Sequence, residues 1–201
     1  MLSMSDTVNR NRHKQTPSEE LVARVAEGDE YAFHILVNRY QTPVLNLIYR
    51  FLGDRQKSED LAQETFLQVW RAAKTFKGRS KFTTWLYRIG VNLCLNEIKA
   101  GRRKNWLQFF RNLADAKRPE DECLPDDSPN AEDLLLARER SQQILNALQG
   151  LPENQRIALI LNRYEDLSYE EISLILGCSI PAIESLLVRA KRSLQKKLEK
   201  F

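Results

Sequence analysis

Apolar residues recur at helical spacing through most of the chain, and no stretch alternates as a strand would. Thr16-Pro17-Ser18-Glu19 reads as a helix start, and Gly28 as its end. Asp29 can cap a second helix in which Phe33, Leu36, Val37, Tyr40, Val44, Leu47, Ile48 and Phe51 share a face. Pro43 within it predicts a kink or a break. A third helix is expected from about Ser58 to Phe76, with Leu61, Thr65, Phe66, Val69, Trp70 and Ala73 inward. Ser80 then offers a cap for a fourth, periodic to about Gly101, with a short amphipathic piece at 105–116.

Periodicity lapses over 117–130, a stretch with three prolines and a run of acids that cannot bury enough apolar surface to fold alone. It resumes from about Ala131 to Leu148, ending at Gly150, and again from Pro152 to Tyr164. Ser168-Tyr169-Glu170-Glu171 is a capping box. Ser168–Leu176, a turn at Gly177-Cys178-Ser179 and a helix from Ile180 to about Leu198 have the layout of a helix-turn-helix. The pattern therefore predicts an all-α chain. Residues 1–15 form a disordered extension, 16–104 a helical bundle, 105–130 a flexible acidic linker, and 131–201 a helix-turn-helix domain.

Charge sharpens this division. Residues 1–104 carry 18 basic and 11 acidic side chains, 105–135 carry 3 and 8, and 136–201 carry 10 and 8. Two basic-to-neutral blocks on an acidic connector suggest two anion-binding modules. The segment Lys74–Lys104 concentrates nine Lys or Arg against one acid, Glu97. On its helix, Trp85, Arg88, Asn92, Asn96, Lys99 and Arg103 fall in one narrow stripe beside an apolar one of Phe82, Leu86, Ile89 and Leu93. Cations hold phosphates of any sequence, a ring stacks on an unpaired base, and an amide pairs with a base edge. Such a strip suits opened nucleic acid better than an intact duplex. A plain solvated basic face with Trp85 half buried is the bland alternative.

Asp60, Gln63, Glu64 and Gln68 share the outer face of the third helix. Acids four apart are most often a solvated face, and a protein-docking surface is the more specific reading. No phosphate loop, nucleophile–base pair or ligand cluster is visible, so an enzyme, a metal site and a cofactor are not expected. Cys94, Cys123 and Cys178 are too scattered for a disulfide framework or zinc site. No apolar run approaches a membrane span, which reads as a soluble cytoplasmic protein. In the last helix, residues 189–201 hold six cations and one acid, which suits phosphate contacts.

The stretches AFHILVNRY, EDLAQETFLQVWRA, FKGRSKFTTWLYRIGVNLCLNEIK and LSYEEISLILGCSIPAIESLLVRAKRSL together resemble bacterial sigma factors of the extracytoplasmic-function (ECF) group, sigma-70 family. The resemblance implies a non-catalytic initiation factor with no cofactor and no small-molecule substrate. Its partners would be core RNA polymerase (the largest-subunit coiled coil and the flap), promoter DNA and an anti-sigma factor, often membrane-linked, that would hold it at the membrane. It implies polymerase docking through Asp60, Gln63, Glu64 and Phe66. The −10 element would be opened by the segment Phe76–Asn92, a flipped base entering a pocket of Ala72, Phe76, Ile89 and Asn92, with the stripe Trp85 to Arg103 alongside. The −35 element would be read by Ser179, Ala182, Glu184, Ser185, Arg189 and Arg192. Ala182, Glu184 and Leu187 depart from the family's usual Thr, cation and Arg. Glu184 is expected to accept from a cytosine amino group, while Ser185, Arg189 and Arg192 hold the backbone. A conventional duplex-binding regulator with an N-terminal oligomerisation domain is the alternative; it leaves the stripe unexplained.

Overall fold

The computed structural model describes residues 16–111 and 141–199, the side chains of 102–111 excepted, and every element within them is helical. The N-terminal cluster consists of α1 (Ser18–Ala26), α2 (Glu30–Leu52), α3 (Arg55–Ala72) with a 3-10 turn at Ala73–Thr75, and α4 (Phe82–Arg111). The C-terminal cluster consists of α5 (141–149), α6 (Glu153–Tyr164), α7 (Tyr169–Leu176) and α8 (Ile180–Leu198). The extension 1–15, the acidic stretch, Cys123, the expected helix start near 131 and the side chains of Arg103 and Trp106 lie outside the described residues.

Local chemistry sets most boundaries. Asp29 accepts from the Ala32 N–H at 2.9 Å and begins α2. That helix runs unbroken through Pro43, so the expected break is absent. It stops at Gly53, whose φ of 75° is a left-handed value that favours glycine. Helix α3 starts one turn earlier than expected because Asp54, not Ser58, takes the cap, accepting from Lys57 N–H at 3.0 Å. Ser58 is instead fully buried. Helix α4 continues past Gly101 to Arg111, joining what the pattern divided in two. Both halves of the Ser168–Glu171 capping box form.

Leu21, Leu36, Leu47, Ile48, Phe51, Val69, Phe82 and Leu86 make the N-terminal core; Ile157, Ile160, Leu161, Ile172, Ile183 and Leu187 make the C-terminal one. Each such side chain contributes roughly 1.5–3 kcal/mol by leaving water. The two cores are continuous, because α7 packs on α4 and α6 packs on α2. Helix α4 is therefore covered on two sides. Tyr87, Val91 and Cys94, outside the expected apolar stripe, are buried, whereas Ile89 and Leu93 within it are only half-buried.

Candidate nucleic-acid interface

The exposed side of α4 carries Arg88, Asn92, Asn96 and Lys99 at spacings of four, four and three, so the polar part of the stripe stands in solvent. Trp85 does not. It is 7% exposed, with its ring 5.2 Å from that of Phe76 and 6.0 Å from that of Phe82. The reason is geometric: Trp85 lies where the stripe meets the core, and its large apolar ring is covered by the two phenylalanines. An exposed stacking ring at Trp85 is thus corrected to a buried one with an edge on a cleft.

That cleft, about 360 Å³, is lined by Phe76, Arg79, Thr84, Trp85 and Arg88, and on its far side by Leu174 of α7. The turn entering it passes through Gly78 at φ 65° and presents Lys77, Arg79 and Lys81 to solvent. The Thr84 hydroxyl is buried there with no hydrogen-bond partner. Ala72 and Ile89 are half-buried and Asn92 is exposed; none of these three lines the cleft. The cationic rim suits phosphate, and the half-buried Phe76 ring on the wall supplies a flat partner for a base.

On the opposite flank, Asp60 and Gln63 are exposed, and Glu64 is held by Gln68 at 2.8 Å and Arg71 at 3.3 Å. Phe66 is buried, 6% exposed, because it faces inward from α3 onto α2. It forms the wall of an apolar groove of about 420 Å³ with Phe33, Val37, Leu45 and Ala62. Leu67, 47% exposed, stands at its edge. Leu67 was not among the expected docking residues, although a leucine on an otherwise polar face was the available signal.

Helices α7 and α8 meet at a bend of 99° across Gly177, whose φ of 65° again needs glycine's freedom. Ser179, Glu184, Ser185, Arg189 and Arg192 are exposed and Ala182 is half-buried. Leu187 is a core residue at 1% exposure, packed in one cluster with Ile183 and Ala190. A cation there would be buried, so its absence removes no surface contact. Val188, 67% exposed and on the Glu184–Arg192 side, is an apolar surface residue that the sequence reading missed.

Among the described residues no group of three His, Cys, Asp or Glu is placed to hold a metal ion, and no single helix is long and apolar enough to cross a membrane.

Residues 36–104 match the family described as Sigma-70 region 2, and residues 141–194 match Sigma-70, region 4. The chain is 38% identical to the RNA polymerase sigma-H factor of Pseudomonas aeruginosa over 92% of its own length and 95% of the relative's. It is 36% identical to the ECF RNA polymerase sigma-E factor of Escherichia coli over 92% and 96%. Among solved structures, CnrH in complex with the cytosolic domain of CnrY shares the fold, with a TM-score of 0.66 at 24% identity over 91% of this chain and 97% of that one. RpoE of Bartonella quintana, solved with the anti-sigma factor NepR, gives 0.61 at 26% identity over 83% and 96%. The chain belongs to the ECF group of the sigma-70 family: it is an RNA polymerase sigma factor, a subunit that directs the polymerase to promoters and is not itself a catalyst.

Proposed function

We propose that residues 16–104 form the module that docks core polymerase and opens the −10 element, and that residues 131–201 form the module that reads the −35 element as duplex. The exposed row Arg88, Asn92, Asn96 and Lys99 beside an aromatic cleft is the observation that carries this reading. Cations grip the backbone of the separated strand while the amides meet base edges. A base leaving the stack costs a few kcal/mol, which contacts in a pocket offset. Ala72, Phe76, Ile89 and Asn92 are taken as one base-binding region, of which Phe76 lines the cleft, and Arg103, four residues past Lys99, extends the row. Trp85 serves as its rigid floor.

Asp60, Gln63 and Glu64, with Phe66 and Leu67 lining the adjoining groove, form the face for the coiled coil of the polymerase's largest subunit. On α8, Glu184 accepts from a cytosine amino group, Val188 meets a thymine methyl, and Ser185, Arg189 and Arg192 hold the backbone, with Ser179 and Ala182 at the helix start and the flap beneath. An anti-sigma factor is the further partner. The similarity to a relative solved with NepR, spanning both clusters of this chain, supports it. The acidic stretch beyond the end of α4 at Arg111, up to residue 130, serves as the linker, and the factor acts in the cytoplasm, held at the membrane only through such a partner.

Run-off transcription tests the reading. The purified chain with core polymerase starts transcripts at discrete promoters, and the chain alone binds those promoters poorly. Tight footprinting by the chain alone, with core adding nothing, would establish the duplex-binding regulator instead.

A further inference from the structure

A cavity of about 520 Å³ opens between the end of α1 and the end of α3, and it shares no lining residue with the −10 cleft or the docking groove. Val25, Glu27, Gly28, Trp70, Arg71 and Lys74 line it. Its size is that of a small-molecule site. The half-buried Trp70 ring is held edge-on by Phe33, with centroids 5.1 Å apart. Glu27 and Lys74 are exposed, and among the described residues neither side chain makes an ion pair; Arg71 is tied to Glu64 at 3.3 Å. Beside the backbone of Gly28, at φ 95°, there is open space to 4 Å, so the turn leaves the entrance clear.

The chain itself joins this cavity to the −10 cleft. Helix α1 packs on the 3-10 turn Ala73–Thr75, which carries Lys74 into the cavity wall and runs on to Phe76 in the wall of the cleft. Two residues span no more than about 7 Å. A strand stacked as in a duplex advances about 3.4 Å per nucleotide, so one or two nucleotides bridge the two sites. The cavity offers a flat ring, cations for phosphate and one carboxylate. A carboxylate only accepts, and guanine alone sets two donors side by side on its Watson–Crick edge, N1–H and the N2 amino group. Adenine and cytosine place an acceptor beside their donor, which a carboxylate repels.

We propose that Trp70, Glu27 and Lys74 form a second base site, which takes an unpaired guanine of the opened strand one or two nucleotides from the base held at the −10 cleft. This rests on the strip assignment above and adds a specificity position to it. Trp70 stacks on the guanine, Glu27 accepts from its N1–H and N2 amino group, and Lys74 with Arg71 meets the adjoining phosphate.

The test offers holoenzyme a pool of bubble templates whose non-template strand is randomised through the opened stretch, with the template strand mismatched so that no pairing has to be broken. The bound templates are sequenced. Wild type should favour guanine about tenfold at one position within two nucleotides of the base held at the cleft. Glu27→Ala and the equally long Glu27→Gln should lose that preference alone, with core affinity and melting temperature kept. Lys74→Ala should weaken capture of every sequence alike and lower its salt dependence by about one phosphate contact. A wild type without a guanine preference, or one that survives in both Glu27 variants, would overturn the second site. A loss of core affinity in Glu27→Ala with every base preference intact would overturn it too, and would make the cavity a polymerase contact. Arg88→Ala/Asn92→Ala separates the two claims. Capture like that of wild type by this variant overturns the strip assignment, whereas reduced capture with no guanine preference in wild type overturns the second site alone.

Discussion

The carboxylate of Glu19 accepts the backbone N–H of Phe82 at 2.8 Å, joining residues 63 positions apart. The first turn of a helix has backbone donors without partners, and a carboxylate there also meets the positive end of the helix dipole. Helix α4, which carries the strip, is therefore started by a side chain of α1 and not by the nearby Ser80.

Glu19→Ala removes that cap and should cost about 1 kcal/mol of stability. Ser80→Ala should cost less. Thermal melts of the two variants check the order; a larger loss at Ser80 would return the cap to the local residue.

The docking face gives a second expectation. Asp60→Lys/Glu64→Lys and, separately, Leu67→Arg should weaken core binding, with melts of Leu67→Arg shifted by no more than about 0.5 kcal/mol because its side chain is exposed. Competition against a labelled sigma factor for core measures this. Phe66→Ala should instead unfold the chain more easily, by about 3–5 kcal/mol, since its ring is buried.

Acid should act in two opposed ways on the contacts between the two clusters, where Glu165 accepts from Tyr87 and Glu171 meets Lys81. Glu171 is held below its ordinary pKa, first by the Ser168 backbone N–H and then by Lys81. Its stabilisation is present above the ordinary carboxylate range and is lost as pH falls through its lowered value. Glu165 is raised, chiefly by burial, against the pull of Tyr87 and Arg50. Its protonated form favours the folded chain, so its contribution is full at low pH and is lost as pH rises through its raised value. The melting gap between wild type and Glu171→Gln should therefore shrink on acidification. Any advantage of Glu165→Gln over wild type should widen on going to neutral pH. Melts from pH 3 to 7 read both.

Burial pushes the Cys94 thiol up to about 12, and Arg156 of α6 is close enough to act on it. At pH 8 it should react with a thiol reagent far more slowly than half-buried Cys178. Mass spectrometry of timed samples gives the rates.

Periodicity and capping chemistry made most helices legible, since Asp29, Ser168–Glu171 and Gly177 act on their own neighbours. What escaped the sequence depends on distant partners. The Glu19 cap spans two helices, and the burial of Tyr87, Val91 and Cys94 follows from a second cluster covering α4. Trp85 was placed on the polar strip, yet its ring turns inward, because a large aromatic at the border of such a strip gains more by packing than by standing in water, whereas the burial of Phe66 follows the helical period. The row Arg88, Asn92, Asn96 and Lys99 was legible because, among the described residues, none buries these four side chains.

Permanganate reactivity of unpaired thymines in the −10 region, measured with holoenzyme on a promoter it opens, tests the role of that row most directly. Arg88→Ala/Asn92→Ala holoenzyme should assemble normally and lose most of the thymine reactivity, with the variant's own melt nearly unchanged. Wild-type reactivity from that variant would contradict the assignment of strand capture to α4.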